Sequence, residues 1–100
     1  MRFEFDWDPA KAQSNRVKHD VSFEDAMGVF QDPLALSIFD REHSDDEDRW
    51  ITLGRSGIEQ LLLVIHTHVE VSNDRVAIRI ISARQATRQE RKQYEEGSRT

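Results

Sequence analysis

The sequence predicts an α+β domain, and three observations carry that prediction. Phe3, Phe5 and Trp7 alternate with Glu4 and Asp6, the period-two pattern of a half-buried strand. Helix starts follow at Asp8-Pro9 and at Ser22. Four apolar runs separated by short turn signals come next, and Thr87 with Glu90 forms a capping box for a last helix.

Each element has a local cause. Aspartate at the N-cap and proline at the first helical position start a helix at Asp8-Pro9, which the pattern carries to about His19. Asp20 falls near its end, where a residue that tolerates a left-handed backbone is useful. Ser22 with Asp25 makes a weaker capping box, and Ala26, Met27 and Phe30 share the buried face of the helix it opens. Asp32-Pro33 stops that helix, because the residue before proline disfavours it. Strands are predicted over 34–39, 49–54, 59–68 and 75–82, with turns at Arg55-Ser56-Gly57 and Ser72-Asn73-Asp74. Residues 59–68 are the most apolar and so belong at the centre. Short connections favour an antiparallel meander. The expected order is β-α-α-β-β-β-β-α in a single domain over 1–100, with 97–100 as a loose tail.

Composition narrows the class. The chain has 100 residues and no cysteine, so disulfide staples and thiolate ligands are excluded. The opening Met1-Arg2-Phe3-Glu4-Phe5-Asp6 has charges where a signal peptide needs an apolar run, and the longest apolar stretch is Leu61 to Ile65. No membrane association and a cytoplasmic location are therefore expected. Net charge is −5, yet the charges are segregated. Arg75, Arg79, Arg84, Arg88, Arg91 and Lys92 stand against Glu90 alone between positions 75 and 92, whereas positions 40 to 48 are strongly acidic. A local positive surface on an acidic protein is compatible with phosphate binding; both runs also fit ordinary solvated faces.

The motifs, read collinearly, resemble one family. They are Phe5-x-Trp7-Asp8-Pro9-x-Lys11, Asn15, Lys18-His19, Val21-Ser22-Phe23-Glu24 and Ala26. Phe30 with Asp32-Pro33, His43-Ser44, Glu47-x-Arg49 and Gly54-Arg55-Ser56 follow. The most specific stretch is Arg79-Ile80-Ile81-Ser82-Ala83-Arg84, with Ala86, Glu90-Arg91 and Tyr94 after it. From Phe5 to Tyr94 this pattern resembles the BrnT toxins of bacterial toxin–antitoxin pairs. The resemblance implies a RelE-like fold, an endoribonuclease activity that inhibits growth, and a BrnA-like ribbon-helix-helix antitoxin. It implies contact with operator DNA only through that antitoxin, for which a 2:2 complex is the natural assembly. The alternative is a non-catalytic relic that binds the antitoxin as co-repressor. Two positions depart from the family pattern: Asp20 stands where glycine is usual, and Val69 where a basic residue is common.

RNA cleavage without metal or other cofactor needs proton transfer to and from the 2′- and 5′-oxygens, and cations on the phosphorane. His19, at the end of the first helix beside Lys18, is the expected proton carrier; it equally fits a helix-capping role. Glu47 and Arg49 lie two apart in an extended segment and point the same way, as base and phosphate clamp or as a surface salt bridge. Arg79 lies in an apolar strand and needs a partner, for which Glu47 is the candidate. Arg84, just ahead of the last helix, is with Arg79 the expected phosphate ligand. Lys18, Arg88 and Tyr94 complete the RNA-binding set, although Tyr94 also fits a packing role. His66 and His68 lack a third ligand and are read as strand residues, not a metal site.

Overall fold

The computed structural model describes residues 1–43 and 47–97. The elements in chain order are β1 (Arg2–Asp6), α1 (Pro9–His19), α2 (Phe23–Met27), β2 (Leu36–Phe39), β3 (Arg49–Arg55), β4 (Leu61–Thr67), β5 (Val69–Ser72), β6 (Arg75–Gln85) and α3 (Arg88–Gly97). Short 3-10 turns occupy Gly28–Gln31 and Arg41–His43. The strands form one sheet of order β1-β6-β4-β3-β2, with β5 also on β6.

The local signals act as their chemistry requires. Asp8 caps α1 through the Ala10 N–H, with Pro9 in the first turn, and Asp20 closes the helix at φ 54°. Ser22 Oγ accepts the Asp25 N–H at 3.0 Å. Thr87 Oγ1 accepts the Glu90 N–H at 3.1 Å, and Glu90 returns the favour to the Thr87 N–H at 2.9 Å. Asp32 does more than end a helix. Its carboxylate accepts the N–H groups of Leu34 and Arg55 and the hydroxyl of Tyr94. Gly57 turns the β3–β4 connection at φ 91°. Gly28 admits Ser56, whose hydroxyl would crowd any Cβ there and which donates to the Asp25 carbonyl.

β2, β3, β4 and β6 form the expected antiparallel meander, with the apolar β4 in the middle. The expected element order is corrected in one respect. The strand ends at Thr67, and Val69–Ser72 forms a further strand on β6. The reason lies in the ladder: register shifts at Ile65/His66, so beyond that point the chain meets β6 afresh at Ala77. β1 pairs parallel to β6, from Arg2 opposite Arg75 to Asp6 opposite Arg79. Gly97, expected in the tail, is the last residue of α3 and packs on Leu36. Ser44 of the family motif and the rest of that tail, 98–100, lie outside the described residues.

Alternation sorts the side chains into two faces. On one, Phe23, Ala26 and Val29 bury Leu62, Val64, Val76, Ile78, Ile80 and Ala83, with Phe3, Phe5 and Phe30 packed alongside. On the other, α3 covers only one end, where Tyr94 joins Leu53 and Leu61. The remainder of that second face is open.

α1 is attached differently. Its one buried side chain is Asn15. Where β1 ends, the edge of β6 is left unpaired, and the Asn15 carboxamide closes it. Nδ2 donates to the carbonyls of Ala83 and Val21 at 2.8 and 2.9 Å, while Oδ1 accepts the Ala83 N–H at 3.1 Å. The amide thus takes the place of a strand peptide. Asn15→Ala is expected to orphan three buried main-chain groups and to lower stability by about 3 kcal/mol, read as a shift in the urea midpoint at constant m. A change below about 0.5 kcal/mol would mean that apolar packing alone holds α1.

Candidate functional site

The open sheet face gathers most of the residues expected to handle phosphate. Ile80 and Ala83 point into the helix-side core, so the neighbouring Arg79 and Arg84 point the other way. Trp50 pairs with His66, whose ring packs on Phe30 on the helix side, so Arg49 also lies on the open face. Arg49 stands opposite Thr67, and the Thr67 hydroxyl accepts the Arg79 N–H. The half-buried Arg49 and the exposed Arg79 therefore lie in one cross-strand row, and Arg84 lies farther along β6.

Each arginine has a carboxylate neighbour. Arg79 pairs with Asp6, its register partner on β1, and not with Glu47. The parallel β1–β6 contact, between residues far apart in sequence, makes that pairing. Glu47 lies 3.8 Å from the Arg49 Nε, the local ion pair that their spacing suggested. Arg84 is held by both oxygens of Glu90, at 2.8 and 2.9 Å. This fork keeps the guanidinium charged and draws the Glu90 carboxyl down to about 2, against the opposing effect of burial. Arg88 is exposed on the first turn of α3.

Arg84 and Glu90 form one wall of a cavity of about 440 Å³ on this face. His43 and Asp40 stand on its rim, a pair that sequence reasoning did not single out. Nδ1 of His43 donates to Asp40 at 3.0 and 3.2 Å, the carboxylate is almost buried, and the ring is 63% exposed. Holding Nδ1–H in this way leaves the Nε2 lone pair of the neutral ring for proton transfer. The i,i+3 spacing of Asp40 and His43 is visible in the sequence; that they meet beside Arg84 is not, because it depends on the sheet.

His19 and Lys18 are exposed and line a different cavity, with Lys11, Ser14, Asn15, Ile81 and Ser82 at the β6 edge. His19 is thus grouped with lysines and separated from the arginines of the open face. Tyr94 is corrected from an RNA-binding candidate to a core residue. It is 4% exposed, its hydroxyl donates to Asp32 at 2.6 Å, and the Arg55 guanidinium lies over its ring, so no base can stack there. Burial opposes ionisation of Asp32, but the Tyr94 hydroxyl and two main-chain N–H groups outweigh it and keep its pKa low.

His66 is buried in a polar chain. Its Nδ1–H donates to the Thr67 carbonyl at 2.9 Å, so Nε2 accepts from Thr52, whose hydroxyl in turn accepts from Ser37. His68 is exposed beyond the end of β4. Among the described residues no group of three or more His, Asp and Glu could hold a metal ion, and no helix is long and apolar enough to cross a membrane.

The fold is similar to that of a ribonuclease toxin. The crystal structure of the Brucella abortus ribonuclease toxin BrnT matches with a TM-score of 0.63 at 24% identity, over 87% of this chain and 100% of the other. Comparison with curated proteins returned no match. The family model described as "Ribonuclease toxin, BrnT, of type II toxin-antitoxin system" matches residues 7–90, and the chain belongs to this family.

Burial lowers the His66 pKa from 6.5 to about 4. The unfolded chain therefore takes up a proton that the folded chain refuses. The stability tied to His66 is full above pH 6.5 and is lost as the pH falls toward 4. A decline of order 3 kcal/mol is expected, and His66→Gln should flatten it. Urea midpoints of both proteins at pH 7, 5.5 and 4 test this; parallel profiles would refute it.

Proposed function

We propose that the chain is a metal-independent endoribonuclease, neutralised by a BrnA-like ribbon-helix-helix antitoxin in a 2:2 complex that reaches operator DNA through the antitoxin. The observation that carries this reading is the family match, combined with three arginines and a carboxylate-bound imidazole on one uncovered sheet face. The same reading groups the fold with the RelE toxins.

In the mechanism this favours, the 2′-hydroxyl attacks the adjacent phosphorus, giving a 2′,3′-cyclic phosphate and a free 5′-hydroxyl. Arg84 takes the phosphate oxygens in its fork, for which it must exchange Glu90 for phosphate, and Arg49 and Arg79 hold the flanking backbone. His43 replaces His19 as the preferred proton carrier. It stands in the cavity that Arg84 lines, and Asp40 both orients its ring and stabilises the imidazolium. Glu47 serves as an orienting partner of Arg49. Lys18, His19 and Arg88 extend the RNA contact as backbone ligands, their effect greatest at low salt.

Arg84→Ala is expected to abolish growth arrest and to slow cleavage of purified RNA by about 10³-fold, with the fold retained. His43→Ala should cost about 10²–10⁴-fold, whereas His19→Ala should change little beyond binding at low salt. Cleavage should persist in excess EDTA. Induced expression with and without the antitoxin, beside cleavage assays on each variant, tests the set. Full activity in Arg84→Ala would remove this site, and loss of cleavage in EDTA would remove metal independence.

A further inference from the structure

The cavity beside Arg84 has an aliphatic floor with no group that could bind phosphate. Leu36, Ile38, Ile51, Leu53, Leu63 and Ile65 form it, with Ile38 62% exposed on the outermost strand. Its rim is mainly acidic: Asp40, Glu42 and Glu90 face Arg84 and His43. Among the described residues no Phe, Tyr or Trp lines it. Single-stranded RNA bound without pairing stacks its bases on aromatic rings and follows basic grooves. An aliphatic trough with a carboxylate rim suits neither need. It suits a protein segment with an apolar stripe and basic flanks. The floor and the Arg84 wall span four neighbouring strands, about 15 Å at the usual strand spacing, which accommodates one helix of roughly 10 Å diameter.

We propose that this trough is where the antitoxin docks, through an amphipathic helix carrying Lys or Arg beside its apolar stripe. Such a helix would lie over Arg84 and His43, so neutralisation would be steric. The inference rests on the family's protein antitoxin and deepens the reading of the site above. The rim carboxylates would steer the basic helix toward a surface whose arginines also attract RNA, so the two partners compete for one place with different chemical handles.

The test uses the purified toxin and the antitoxin encoded beside it, with affinity measured by calorimetry and RNA cleavage measured on each toxin alone. Ile38→Glu is expected to weaken antitoxin binding by about 100-fold, and Glu42→Lys by about 10-fold. Both positions are exposed, and each variant, read against its own cleavage rate without antitoxin, should resist neutralisation. Val17→Glu, at an 83% exposed position on α1, is the control and should bind as the parent does. Parent-like antitoxin affinity in both Ile38→Glu and Glu42→Lys would overturn the proposal. So would loss of cleavage with antitoxin binding intact, which would make RNA the occupant. A toxin dimer dispersed by Ile38→Glu with antitoxin affinity unchanged would instead assign the trough to a second copy, and would also overturn it. Should the parent bind the antitoxin yet cleave no RNA, the ribonuclease reading alone would fail.

Discussion

The attachment of α1 to the edge of β6 depends on one amide. An amphipathic helix is ordinarily fixed by the apolar area it buries, but α1 buries little. Val17 is 83% exposed, and the side chain that goes inside is Asn15. A polar anchor has a consequence that an apolar one lacks: it specifies position along the strand. Donor and acceptor on the carboxamide match the carbonyl and N–H of Ala83, and a shift of one residue along β6 would break both bonds at once. The helix is therefore held in register as a strand would be. β6 is bordered by β1 over its first half and by α1 at Ala83, which together shorten the edge open to another strand.

That arrangement explains why one face is open. α2 and the β1 aromatics close the helix side around Phe23, Val29 and Ile78. On the other side only α3 is present, fixed at one end by Tyr94 and at its start by the Thr87–Glu90 box. Glu90 serves two purposes: it caps α3 and holds Arg84. The arginine therefore stands extended and oriented before any ligand arrives, which removes part of the entropy cost of capturing a phosphate. Acidic overall charge is no obstacle, because the field at the open face is set by these few residues.

Much of the local structure was legible in the sequence. Asp8-Pro9, Asp20, Ser22 with Asp25, and Thr87 with Glu90 all act through groups within four positions, so their chemistry needs no knowledge of the fold. The β3–β4 pairing was readable for the same reason, since a short turn forces neighbours together, and β2 follows by pairing with the next strand in sequence. What was not legible depends on distant partners. Asp6 takes Arg79 because β1 runs parallel to β6, and no turn signal can announce a pairing across seventy-three positions. The Tyr94–Asp32 bond, across sixty-two positions, removed an apparent base-stacking residue from the surface. His43 stood in the family pattern, but its place at the site was hidden in the same way. Its local link to Asp40 looks like an ordinary surface pair until the sheet brings it beside Arg84.

The open face also carries a conflict that its chemistry resolves. Phosphate contact favours uncompensated arginines, yet Arg79 and Arg84 are each tied to a carboxylate, and Arg49 has Glu47 within ion-pair distance. Unpaired cations crowded on one sheet would repel one another and reduce stability, and the paired carboxylates relieve that repulsion. The pairs at Arg49 and Arg79 are partly exposed, hence weak and readily exchanged for a phosphate. Arg84 is held more firmly, by a bidentate fork that a phosphodiester can match in both geometry and charge. On the function proposed above, such a site takes up a polyanion by trading one set of acceptors for another, with little rearrangement of the donors. The aliphatic floor beside it carries no charge and is untouched by that exchange, so on the proposals above RNA and the antitoxin meet different parts of one surface.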